Sequence, residues 1–314
     1  MRTLAWAVVA ALFALLPLAV HSDVVLTVLV FACLQGMLAA SFNLIFGFTG
    51  QLSMFHAAAF GIAAYATHLS MEHLQVSFWI GTLLAACLVA VLSLIVGSIC
   101  FRFRLREFYF AVVTLAFSEM ARLLILNWNS VTNGSLGINL QEKPTVWWPG
   151  AGVVKLDGTV PWYYVALAGL ALTLLVCHRL VHSWMGRCFA AIRLNDALGD
   201  ALGINVFRYK LAAFMVGSVI AAVTGSLYAY YLGSIEPGFL SVDQSLAIVA
   251  MVLLGGRRSV AAPVFGAFLL TALPHVIHFP AEVRSIVYGA ILIATILLLP
   301  RGIYGTVSAV LRRG

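Results

Sequence analysis

An all-α polytopic membrane protein of about ten transmembrane helices is the fold the sequence predicts, and three observations carry that expectation. Of the 314 residues, 63% are hydrophobic and 9% are charged, whereas a soluble domain carries about 25% charged residues. That leaves too little polar surface to cover a water-exposed sphere. Apolar runs of bilayer-crossing length, about 17 to 25 residues, recur along the whole chain. No stretch of about 50 residues remains for a soluble domain, so residues 1–314 read as a single transmembrane domain. The third observation is that the basic residues segregate to one face once these runs are counted as crossings.

The expected spans lie at about 4–21, 24–46, 52–71, 78–100, 108–127, 161–181, 209–232, 242–256, 260–279 and 285–300. The third and eighth least resemble simple full crossings. Met1-Arg2 followed by Leu4 to Leu16 has the look of a secretory signal, but Pro17 to Asp23 lack a small-x-small cleavage site, so an uncleaved first span is expected. Ten crossings place both termini on one side. Arg2, Arg102, Arg104, Arg106, Arg179, Arg187, Arg193, Arg208, Lys210, Arg257, Arg258, Arg301, Arg312 and Arg313 then share a face. Lys143, Lys155 and Arg284 fall opposite, and Arg122 sits inside a span. By the positive-inside rule the rich face is cytoplasmic. The net charge of +7 thus has a membrane origin and calls for no nucleic-acid partner. Cys33, Cys87, Cys100, Cys177 and Cys188 show no CxxC spacing and read as free structural thiols.

The stretch from Phe42 to Tyr65 departs from this pattern. An apolar segment is cut by Gly47, Thr49, Gly50, Gln51 and Ser53, then resumes with Ala57, Ala58, Ala59, Gly61, Ala63 and Ala64. Small residues let helices approach closely, and glycines with hydroxyl and amide side chains suit backbone that leaves the helix beside a polar cavity. A broken or re-entrant helix near 47–53 is expected, either lining a pathway or forming a turn between two ordinary spans.

Two loops are long enough to act. Trp128 to Val160 lies outside, and its Trp147-Trp148, Pro144 and Pro149 suggest an ordered interfacial cap. His182 to Arg208 is cytoplasmic. Within it, Ala191, Leu194, Leu198, Ala201 and Leu202 are spaced mainly three or four apart, with Arg193, Asn195, Asp196 and Asp200 between them. This predicts one short amphipathic helix stopped by Gly203, which either rests on the membrane surface or docks into a groove on a soluble partner.

Several chemistries are excluded. There is no GxxxxGK[ST] phosphate loop, since none of Lys143, Lys155 and Lys210 follows a glycine, so nucleotide hydrolysis of that kind is not expected of this chain. GxSxG and HExxH are missing too, and the chain reads as neither an enzyme nor a cofactor or metal protein. His178 and His182 share a helical face without a third ligand and read as interfacial anchors. Ionisable groups at membrane depth are few: His56, His68, Glu119 and Arg122. A mid-membrane charge costs about 2.5 to 3.5 kcal/mol on insertion scales, so Glu119 and Arg122 are expected to pair at their i,i+3 spacing, as a structural pair or a gating element.

Two segments together carry a resemblance. FNLIFGFTGQLSMFHAAAFGIAAYAT at 42–67 and AIRLNDALGDALGINVFRYKLAAFMVGSVIAAVTGSLYAYYLG at 191–233 resemble the permease subunits of branched-chain amino acid ABC importers, and the similarity continues through Gly255-Gly256 and AAPVFGAFLL at 261–270. The resemblance implies a type II importer permease in the bacterial inner membrane. It would pair with a second homologous permease, bind two cytoplasmic ATPase subunits and receive solute from a periplasmic binding protein. Residues 128–160 become a periplasmic loop and 187–203 a cytoplasmic coupling helix, with Arg193, Asn195, Asp196, Asp200 and Gly203 at the ATPase. Leu194 stands where the family commonly has an acidic residue, and Ala-Leu-Gly-Asp follows Asp196 where Glu-Ala-Ala types are common.

An echo between Gly50-Gln51-Leu52-Ser53 and Gly238-Phe239-Leu240-Ser241 suggests two inverted five-helix halves. The expected pathway is then lined by Asn43, Thr49, Gln51, Ser53 and, near its mate, Ser241. So little charge suits a small zwitterion or neutral solute, held weakly enough for release. Branched-chain amino acids are the modal substrates of the resembling family, whose members also carry urea, short amides or aromatic acids. A self-sufficient channel or secondary carrier for urea-like solutes is the competing expectation.

Overall fold

The computed structural model describes residues 22–276 apart from 106, 141–142, 149–151 and 258, together with positions 13, 16, 17, 289 and 303. The expected spans over 4–21 and 285–300, and with them both termini, fall almost wholly outside the described residues.

Each expected span between these limits is met by a helix. The first, α1, runs Asp23–Asn43 and continues through a π turn over Leu44–Phe48; Asp23 in its first turn suits the positive end of the helix dipole. After an irregular stretch come α2 (Phe55–Leu74), α3 (Phe78–Arg102) and α4 (Glu107–Asn127). The one-turn helix α5 (Asn129–Thr132) opens the long loop over 128–160, which holds β1 (Ile138–Asn139), β2 (Thr145–Trp148) and β3 (Gly152–Lys155). Then follow α6 (Thr159–His182), α7 (Trp184–Leu194), α8 (Asp196–Ala201) and α9 (Val206–Leu232). A short strand, β4 (Ser234–Ile235), and a 3-10 turn (Pro237–Leu240) lead into α10 (Val242–Gly255) and α11 (Ala262–Val276).

Among the described residues, five helical segments are long and apolar enough to cross a membrane: Asp23–Phe48, Phe78–Arg102, Glu107–Asn127, Thr159–Val181 and Val206–Leu232. Val242–Gly255 and Ala262–Leu273 are shorter apolar helices. The chain is an all-α polytopic membrane protein. Exposed Leu83, Leu84, Leu88, Val91, Leu94 and Ile95 give α3 the apolar outer face expected of a lipid-facing helix.

The core gathers on α1, α2 and α9, where small residues bring backbones together. A methyl at Gly225 of α9 would overlap the Phe60 carbonyl of α2, and the Thr67 and Ser226 hydroxyls bond across the same interface at 2.7 Å. Around them, Phe55, Phe101, Phe110 and Phe214 form a buried ring cluster joining α2, α3, α4 and α9. The long loop over 128–160 is tied down by two antiparallel pairings, β1 with β4 and β2 with β3, and by Trp79 Nε1 donating to the Thr145 carbonyl at 2.9 Å. The expected cap is therefore stitched to the segment that follows α9.

Candidate functional site

The interruption expected near 47–53 begins slightly earlier, in the π turn. A π turn widens the helix by one residue, a feature frequent at functional sites. Here the widening is locked from two sides. Asn43 Nδ2 donates to the Ser259 carbonyl at 3.0 Å, and a methyl at Gly47 would overlap Asn43 Oδ1 and come within 2.7 Å of the Arg257 carbonyl. Arg257 also lays its guanidinium over the Phe46 ring, 5.0 Å from the centroid. The turn between α10 and α11 therefore clamps the end of α1.

The chain then closes the helix end on itself. Thr49 Oγ1 donates to the Ile45 carbonyl at 2.6 Å, and the Gln51 amide donates to the same carbonyl at 3.1 Å. Gly50 takes φ +79, the left-handed region that glycine enters without strain. Ser53 Oγ accepts from the Phe55 amide at 3.2 Å at the start of α2, and the Met54 amide donates to Thr114 Oγ1 of α4 at 3.0 Å. Asn43, Thr49, Gln51 and Ser53 are thus brought together around one break, and all four are buried. Ser53 and Thr49 act as caps of broken helix ends. Gln51 Oε1 has no partner among the described residues.

Ser241 is not part of this group. Its hydroxyl accepts from the Gln244 amide at 3.3 Å and caps α10. The two breaks are linked along α2: Ser245 Oγ donates to the Met54 carbonyl at 3.4 Å, and Leu240 packs where Gly61 leaves space.

The segment over 187–203 corrects one expectation. Residues 187–203 do not form a single amphipathic helix. The first, α7, ends at Leu194; Asn195 turns out to φ −167, ψ 127, and its carboxamide oxygen accepts from the Ala197 amide at 2.9 Å. Asparagine competes for backbone hydrogen bonds inside a helix and is among the best N-caps, so it ends one helix and starts the next. Gly203, at φ +76, follows the end of α8, and its amide donates to the Asp200 carbonyl at 3.0 Å.

Despite the break, Leu194, Leu198 and Leu202 remain 79%, 46% and 65% exposed, an apolar stripe on the outer side of the segment. Two ion pairs tie the segment to neighbouring elements. Lys210 Nζ of α9 lies 2.6 Å from Asp196 Oδ2, and Arg104 after α3 lies 3.0 Å from Asp200 Oδ2. Arg193 sits at the last turn of α7, where a methyl at Gly50 would come within 3.4 Å of its Cγ and 3.6 Å of Glu107 Oε1. The 187–203 segment and the α1–α2 break are in direct contact.

In α4, Arg122 Nε donates to Glu119 Oε2 at 2.8 Å, both side chains about 30% exposed. Sequence reasoning assigned no role to Lys210 or Arg104. The available signal was a lysine inside the first turns of an apolar span, which needs a counter-charge, fourteen positions after an aspartate. Among the described residues no group of three or more His, Cys, Asp and Glu is placed to hold a metal.

The sequence profile described as "Branched-chain amino acid transport system / permease component" matches residues 24–296. Among similar proteins, the high-affinity branched-chain amino acid transport system permease protein LivM of Escherichia coli (strain K12) is 28% identical over 285 residues, covering 85% of this chain and 67% of the relative. LivH of the same organism, likewise described as a high-affinity branched-chain amino acid transport system permease protein, is 23% identical over 287 residues, covering 86% and 90%. The xylose transport system permease protein XylH of Escherichia coli (strain K12) is 34% identical over 119 residues, 35% of this chain and 30% of the relative. No solved structure matches the chain.

Proposed function

This chain belongs to the family of branched-chain amino acid transport system permease components, and from that premise we propose that it forms half of the translocation pathway of an ATP-driven importer. Its cargo is a branched-chain amino acid or a related small solute. A second homologous permease completes the membrane unit, two cytoplasmic ATPase subunits drive it, and a periplasmic binding protein delivers solute. Ten crossings in two inverted halves, with both termini cytoplasmic, put the basic loops and the 187–203 segment on the ATPase side.

The observation that carries this reading is the contact between the coupling segment and the break. ATPases that pull on the Leu194, Leu198 and Leu202 stripe move α7 and α8. Arg193 passes that motion to Gly50, while Lys210 and Arg104 pass it to α9 and the α3–α4 connection. Asn43, Thr49, Gln51 and Ser53 then line the pathway when the break rearranges, with Ser241 at its counterpart. Their burial and internal hydrogen bonds suit a closed gate. XylH, similar over 35% of this chain, is described as a xylose transport system permease, which supports a neutral solute as an alternative cargo.

Co-purification tests the reading. The tagged chain, expressed with its neighbouring ATPase and permease genes, is expected to bring down a complex with two ATPase subunits. A chain that stays alone under mild detergent, while its solute crosses liposomes without nucleotide, would be a channel or carrier instead.

A further inference from the structure

His56 stands just past the break, in the first turn of α2. It is 1% exposed, and neither ring nitrogen has a hydrogen-bond partner among the described residues. A neutral imidazole carries one N–H donor and one lone-pair acceptor, so both capacities go unmet in the interior of a membrane protein. The ring meets Phe42 edge-on, centroids 5.1 Å apart. Across from it, a methyl at Gly217 of α9 would come within 3.0 Å of His56 Nε2 and 2.9 Å of the Ser41 carbonyl. Three helices, α1, α2 and α9, converge on this imidazole. Gly217 lies about 16 Å along α9 from Val206 at about 1.5 Å per residue, inside a helix long and apolar enough to cross a membrane.

The histidine is not isolated in its deficit. Ser218, beside Gly217, has a fully buried hydroxyl without a partner among the described residues, and Gln51 Oε1 is unmet on the other side of the break. Buried polar groups are almost always paired, and those left unpaired need a reason such as function. We propose that His56 is a solute-contacting residue of the translocation pathway, its imidazole sealed at the junction of α1, α2 and α9 in this state and bared to a small zwitterion when the break opens. The inference rests on the importer reading. Imidazole suits such a contact because its N–H serves a carboxylate, its lone pair serves an ammonium, and a neutral ring does not trap either. Gly217 contributes no side chain to hold the ring, so a small separation of α9 from α2 frees it.

The whole transporter, reconstituted with partner permease, ATPases and binding protein, carries the test, with radiolabelled leucine as the solute. In His56→Cys, reaction of position 56 with a small membrane-impermeant thiosulfonate, read by mass spectrometry, is expected to speed up at least about tenfold between the nucleotide-free state and ATP turnover. Equal rates in the two states overturn the proposal. In parallel, His56→Gln, which keeps a donor and an acceptor, is expected to retain leucine uptake per ATP within about threefold. His56→Phe is expected to lose at least about tenfold in leucine uptake per ATP hydrolysed, in a transporter that still assembles. Wild-type coupling in His56→Phe, or equal losses in both variants, makes the residue a packing element and sinks the idea. If wild-type vesicles take up leucine without ATP, the importer reading fails by itself, and labelling at position 56 during that permeation still decides the role of the histidine.

Discussion

Replacing Asp196 with alanine strands a cation. The Lys210 ammonium is held 2.6 Å from the Asp196 carboxylate, with the lysine side chain 4% exposed and the aspartate 50%. Stripping one partner from a fully buried pair costs about 3–5 kcal/mol, whereas an exposed pair contributes about 0.2–1 kcal/mol. With one partner buried and the other half-exposed, the loss falls between these limits, at about 2 kcal/mol. If that energy holds α8 against α9, the docking-competent arrangement becomes about 30-fold rarer relative to its alternatives. A thermal melt of the purified permease in detergent reads the stability term, and ATPase co-purification reads the docking term. Asp196→Ala is expected to lower the melting midpoint by about 5 °C and weaken ATPase retention. The double variant Asp196→Ala/Lys210→Met removes the stranded charge while keeping most of the lysine's apolar stem, and is expected to recover most of the midpoint. A single variant that melts like wild type would refute the reasoning, as would a double variant no better than the single.

Other consequences are as direct. Gly47→Ala presses a methyl onto Asn43 Oδ1 and the Arg257 carbonyl, and is expected to cost about 1–3 kcal/mol, seen as reduced yield of folded permease. Adding Asn43→Ala should not restore it, because the Arg257 backbone cannot step aside. Serine at Leu194, Leu198 and Leu202 together is expected to leave the permease melt within about 1 kcal/mol of wild type, since all three are exposed, while ATPase co-purification is lost. Exchanging the charges in Glu119→Arg/Arg122→Glu keeps an i,i+3 ion pair and is expected to keep leucine uptake within about threefold. Loss of uptake with assembly intact would instead make that pair a gating element.

Most of the helical framework was legible because it follows from a single physical demand: a chain in lipid must satisfy its backbone internally, and long apolar runs do so as helices. The spans from 24–46 to 260–279 all meet helices, and the break that begins in the π turn was marked by Gly47, Gly50, Gln51 and Ser53. The 187–203 segment was legible as a run of spaced apolar residues but not as two helices, because spacing reports which face is apolar and not whether the backbone is continuous. Asn195 carried the missing signal, being a strong cap placed mid-pattern. The partnerships of Lys210 with Asp196 and Arg104 with Asp200 were not legible. Counting basic residues by face treats each as solvated, whereas Lys210 is buried against Asp196 by the way α8 and α9 pack, and Arg104, itself exposed, reaches Asp200 from the end of α3. The convergence on His56 is likewise tertiary, created by Gly217 on a helix far away in sequence.

The most direct test is leucine uptake into proteoliposomes holding this chain, its partner permease and its ATPases, with binding protein on the side where uptake begins and nucleotide on the other. Accumulation that requires ATP and the binding protein together, and that falls away in the Leu194, Leu198 and Leu202 triple serine variant, is the expected result. Leucine equilibrating through the permease pair alone, indifferent to ATP and to those three leucines, would contradict it.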